Sequence, residues 1–130
     1  MKNTFILLFA LIANFLMAQT GTKEQIISDL PEIEITKDIN LHIISPEPIQ
    51  YVDLSTQTLT GDLPTTNIAR IKITDNMPVD TKEKTKTANS FSNGSTVGII
   101  TVVAQSFITQ YKAVYRNSEN RNIATNIHIQ

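Results

Sequence analysis

Few side chains in this sequence are suited to acid–base or ligand chemistry, and their spacing narrows the choice. The two histidines, His42 and His128, stand near opposite ends of the strand-rich part of the chain. Glu47 and Asp53 follow His42 closely, so a metal site would most simply be built from these three. A bound cation requires three or four convergent ligands, and no His-x-x-x-His pair supplies a ready-made arrangement. The commoner role of such a histidine is a hydrogen bond at a sheet surface. Asp53 is also a candidate catalytic carboxylate, though a structural role is the reading its phase favours. In a strand it shares a phase with Ile49 and Tyr51, and burial there would require partners; the backbone N–H groups of the Ser55, Thr56 and Gln57 turn are the nearest. An enzyme would need His42, Asp53 and a further polar group to meet in one pocket. No Gly-x-Ser-x-Gly elbow, phosphate-binding loop or dinucleotide fingerprint is present.

Composition removes further classes. The chain has no cysteine, which excludes disulfides, thiolate metal centres, cysteine nucleophiles and an acylated lipoprotein anchor. Eleven basic residues against 12 acidic ones argue against a surface dedicated to neutralising phosphates. A length of 130 residues, 41% of them hydrophobic, suits one ordinary domain with a real core. No cofactor, metal or direct nucleic-acid contact is expected.

The elements that would position these residues can be taken in order. Residues 1–18 carry Lys2 and then two apolar runs ending at Ala18, the pattern of a secretory signal peptide, with an uncleaved anchor as the alternative. Residues 19–31 are polar and are expected to be a flexible segment or a short helical turn. Residues 32–36 alternate as a half-buried strand with Ile33 and Ile35 inward. Residues 41–44 and 49–54 are strands flanking Ser45-Pro46-Glu47-Pro48. The two prolines make that break an extended corner, by which a chain can leave one sheet and enter another. Residues 55–66 predict a short edge strand and a loop. In residues 68–73, Arg70 and Lys72 face water, while Ala69, Ile71 and Ile73 face the core.

No periodicity survives from residue 74 to 96. Lys82, Lys84 and Lys86 make residues 76–96 either a solvated insertion or a basic loop that touches lipid headgroups, DNA or a partner's acidic surface. Residues 97–103 read as a strand covered on both faces, closed by a hairpin onto residues 107–115, whose aromatic face packs on the core. Residues 117–130 are a linker or a final edge strand. These signals predict an all-β domain over residues 32–116, a β-sandwich of about seven strands behind a signal-peptide helix.

The order His42, Ile44, Pro46, Ile49, Tyr51, Val52, Asp53, Leu54 resembles the start of the TraN proteins of Bacteroidetes conjugative transposons, which carry a T-x-H-I-I-F-P-x-x-I-x-Y-V-D-L-G signature after the signal peptide. Residues 101–115 resemble, more weakly, that family's pair of strands ending in an aromatic-rich motif. The family's hairpin glycine is missing from this chain, and the connection over residues 76–96 is longer here. The resemblance implies a periplasmic, non-enzymatic β-sandwich subunit like that of the type IV secretion outer-membrane core complex. Such a subunit would assemble with itself and a TraM-like partner and reach the outer membrane through its partners. His42, Pro46, Ile49, Tyr51, Val52 and Asp53 would then be structural or interface positions. TraN-like proteins continue into a second β-domain beyond the stretch that this chain matches. From the residues alone, a free-standing exported binding module for carbohydrate or peptide, or an adhesin, remains the alternative.

Overall fold

The proline corner does what its backbone chemistry predicts. Leu41–Ile44 (β2) runs in one sheet and Ile49–Leu54 (β3) in the other, with no regular structure across Ser45-Pro46-Glu47-Pro48. The buried Ser45 accepts the Glu47 N–H on its hydroxyl, which locks the bend. The protein is described from a computed structural model over residues 24–74, 91–117, 119 and 122–130. The expected signal peptide at residues 1–18 and the three lysines of the 76–96 connection lie outside these residues.

Six further strands complete two four-stranded sheets: Glu32–Ile35 (β1), Leu59–Thr65 (β4), Ile68–Ile73 (β5), Thr96–Ala104 (β6), Ile108–Tyr115 (β7) and Asn126–His128 (β8). Sheet A has the order β1-β7-β6-β3 and sheet B the order β4-β5-β2-β8. Most pairs are antiparallel, but β1 lies parallel to β7 and β8 parallel to β2. Alternation then does the packing. Ile33 and Ile35 from β1, Leu41 and Ile43 from β2, Ala69 and Ile71 from β5, and Ile100 and Val102 from β6 join one buried cluster between the sheets. The result is an all-β sandwich.

Turns follow local chemistry. Asp38 turns the chain between β1 and β2 at φ 66°, a conformation that Asp tolerates better than most residues. Gly94 takes φ 87° just before β6. The β6–β7 hairpin closes over Gln105 and Ser106 with the Ala104 N–H on the Phe107 carbonyl. A 3-10 turn, Ile27–Asp29, precedes Leu30, which is buried while Ile26 and Ile27 are exposed.

Three ladders carry register slips: β4 on β5 between Asp62 and Thr65, β3 on β6, and β6 on β7. In β3 the register slips between Ile49, opposite Ala104, and Tyr51, opposite Val103. The extra residue, Gln50, reverses the phase of the strand. Ile49 therefore stays buried, but Tyr51 and Asp53 turn to solvent and Val52 and Leu54 turn inward. The expected shared face of Ile49, Tyr51 and Asp53 is thus divided. In β6 the slip precedes Gly98, which is wedged against the turn after β3. A Cβ there would stand 2.8 Å from the Thr56 Oγ1.

Candidate functional site

Glu47, Asp53 and His42 do not come together. The Glu47 carboxylate sits at the β6–β7 hairpin, where it accepts the Ser106 N–H at 2.6 Å and the Ser106 hydroxyl at 2.8 Å. Asp53 is exposed on the outer face of sheet A, opposite Thr101. The turn expected to satisfy it serves β6 instead: the Ile99 N–H donates to Ser55 Oγ at 2.7 Å, and Thr56 Oγ1 donates to the Val97 carbonyl at 3.0 Å. His42 belongs to sheet B, on that sheet's outer face. Among the described residues no group of three or more His, Asp or Glu side chains is arranged to hold a metal ion.

The other motif positions scatter in the same way. Pro46 is exposed at the corner, Ile49 lies in the core, Val52 packs against the core from the inner face of sheet A, and Tyr51 stands 55% exposed on its outer face.

On the outer face of sheet B the strand registers align a polar row. Asp62 lies opposite Arg70, Arg70 opposite His42, and His42 opposite Asn126. His128 sits one pair further along, opposite Ile44, so the two histidines reach adjacent strands despite their separation in sequence. Arg70 grips Asp62 with two donors, Nε on Oδ1 at 2.9 Å and Nη2 on Oδ2. That hydrogen bonding, reinforced by the charges of Arg70 and Lys72, holds the Asp62 carboxyl below its ordinary pKa. A carboxylate so held is a poor general base near neutral pH, since a base works best with a pKa close to the working pH. Beside the pair, Asn40, Thr60, Gly61 and Lys72 complete a shallow cavity of about 390 Å³. Its lining supplies both hydrogen-bond donors and acceptors.

A different surface opens at one flank of the sandwich, where the edge strands β3 and β4 lie side by side. Val52, Leu54, Leu63, Ala69 and Ile71 line a mostly apolar groove of about 230 Å³, with Tyr51 on its rim. Leu63 is 40% exposed there. Among the described residues no strand pairs with the outer side of either edge. Unpaired edges beside apolar side chains favour association with another chain.

Alternation along β5 already points Arg70 and Lys72 outward in the sequence. Their partner Asp62 is missed because it sits among turn-forming residues, and Tyr51 is misplaced because nothing local announces the slip at Gln50. No family model matches the sequence, and no curated protein matches it.

Proposed function

We propose that this chain is a non-enzymatic structural component of a conjugative transfer apparatus, of the type IV secretion kind, in the cell envelope. The observation that carries an assembly role is the flank between β3 and β4, where among the described residues both edges are unpaired and the apolar groups of Tyr51 and Leu63 are exposed. The envelope setting rests on the signal-like residues 1–18, and the transfer setting on the resemblance of residues 40–54 to the start of TraN proteins. In this reading the protein is exported to the periplasm, packs against copies of itself and TraM-like subunits, and meets the outer membrane through them. It takes part in DNA transfer without gripping DNA.

A second reading is a free-standing exported binding module. The polar cavity formed by Asn40, Thr60, Asp62, Arg70 and Lys72 favours it, as a place for a polar ligand such as a carbohydrate or a peptide. The two readings part in one experiment: cross-linking and recovery of the tagged protein from membranes of its native host, wild type beside Leu63→Glu. Recovery of transfer-apparatus proteins by wild type, with loss in the variant, supports the assembly subunit. Uncross-linked monomer alone, from both proteins, shifts the reading to the binding module.

A further inference from the structure

The backbone of β4 allows the assembly reading to be carried to a particular contact. In its ladder with β5, the Thr74 N–H donates to the directly opposite Thr58 carbonyl at 2.8 Å, which makes that pair the hydrogen-bonded kind. Antiparallel pairs alternate, so Thr60 and Asp62 also direct their backbone groups at β5, whereas Leu59 and Gly61 direct theirs away. The Leu59 N–H turns back to the Thr56 carbonyl at 3.4 Å. The Leu59 carbonyl and both backbone groups of Gly61 therefore face the edge that no other described strand pairs. The β3 edge is less available, because its first N–H, on Ile49, donates to the Thr66 carbonyl at 2.7 Å.

We propose that β4 is a self-association strand: a second copy of this chain adds its own β4 antiparallel to the first, with the two Gly61 residues opposite each other on a twofold axis. This rests on the self-assembly half of the proposed function and names its surface. Charge selects the partner and the register. With Gly61 at the centre, Thr60 lies opposite Asp62 of the second copy, so the outer face of the joined sheets reads Lys72, Thr60, Asp62, Arg70 across the junction, in both directions. Each carboxylate meets a hydroxyl and no like charge. Shifting the centre to Asp62 would set two carboxylates directly opposite each other. Shifting it to Thr60 would put Asp62 against Thr58 and remove the aliphatic pairing. On the inner face the Gly61-centred register sets Leu59 against Leu63 of the second copy. That contact covers the leucine left 40% exposed in the single chain. Gly61 brings no side chain between them, and a Cβ there would stand 3.0 Å from the Arg70 carbonyl.

The absence of cysteine makes the register directly readable. Residues in a non-hydrogen-bonded antiparallel pair have Cα atoms about 4.5 Å apart, within the about 4.4–6.8 Å that a disulfide spans. Full-length Thr60→Cys and Asp62→Cys proteins are oxidised separately and mixed. The expected result is a covalent dimer from the mixture and little from either protein alone. Dimer from Thr60→Cys alone, from Asp62→Cys alone, or from none of the three samples overturns the proposal. Sedimentation adds a check that leaves the single chain intact, because Thr60→Glu places a carboxylate beside Lys72 within its own sheet but opposite Asp62 across the junction. Its melting curve should match wild type while its dimer dissociation constant rises by at least about tenfold; an unchanged constant, or a wild-type protein that is monomeric at high concentration, refutes the contact. A monomer that still recovers transfer proteins from membranes leaves the proposed function standing without this surface. A Gly61-centred dimer that recovers none does the reverse.

Discussion

The two flanks of the sandwich are built from the same kind of strand and end differently. On the flank where β1 lies, the edge carries Glu32 and Glu34, and both are tied inward: Lys112 to Glu32 at 2.6 Å and Arg116 to Glu34 at 2.9 Å. The gap beside it, bordered by Ile35, Thr36, Leu41, Ile123 and Ala124, is too small to admit water. On the opposite flank β3 and β4 have slipped registers, a glycine at the edge and a groove lined by aliphatic side chains. Both flanks carry charge, since β4 has Asp62 and β3 has Asp53; what sets the second apart is the aliphatic groove beside an unpaired edge, a combination that favours an added strand. On the first flank the edge carboxylates are held by side chains within the same sheet, whereas on the second, among the described residues, Leu63 stands exposed beside an unpaired edge.

Substitutions at matched positions test that contrast. The largest effect is expected for Ile35→Ala, at the closed flank, where the side chain is 1% exposed. It should lose about 2–5 kcal/mol in urea unfolding. Gly98→Ala, next to the β3–β4 connection, should cost about 1–3 kcal/mol because the new Cβ lies 2.8 Å from Thr56 Oγ1 and the turn has to move. Leu54→Ala, the open-flank counterpart of Ile35, should cost only about 1 kcal/mol, since the side chain is partly solvated already. A loss equal to that of Ile35→Ala would show the open flank to be as closed as the other. Glu34→Gln should cost under about 1 kcal/mol, and added salt should shrink the difference from wild type.

The smallest effect is in acid, and it compares one carboxylate from each flank. Glu32 and Asp62 are both held below their ordinary values of 4.5 and 3.8, each first by a side-chain hydrogen bond, from Lys112 and from Arg70. A depressed carboxyl stabilises the fold above its unfolded pKa, and the contribution is lost as pH falls through the folded value. Carboxyl-carbon titrations should therefore place Glu32 below 4.5 and Asp62 below 3.8. Arg70→Gln should raise the Asp62 midpoint and leave Glu32 where it was. Movement of both would mean that a common field, and no local pair, sets them.

How much could be read in advance depends on how far each cause reaches along the chain. The corner at residues 45–48 is legible because Pro46 and Pro48 act on their own φ and on the residue before. The inward phase of Ile33, Ile35, Ala69 and Ile71 is legible for a similar reason, since alternation is a local property of extended backbone. The phase of Tyr51 and Asp53 is not, because the slip at Gln50 is a property of how β3 docks on β6. Glu47 illustrates the same limit: its carboxylate looks free to ligate until the β6–β7 hairpin arrives beside it.

An all-β chain, the positions of most strands, the corner between sheets and the exclusion of cysteine chemistry are all written in the order of residues. Each of these depends on residue type or on spacing within a few residues. Long-range pairing sets β1 parallel to β7 and β8 to β2, brings Asp62, Arg70, His42 and Asn126 into one row, and leaves β3 and β4 as edges that no other described strand pairs. Those outcomes depend on which distant segments share a hydrogen-bond ladder, and any extended segment presents the same backbone groups. The choice is made when all the apolar faces are buried at once.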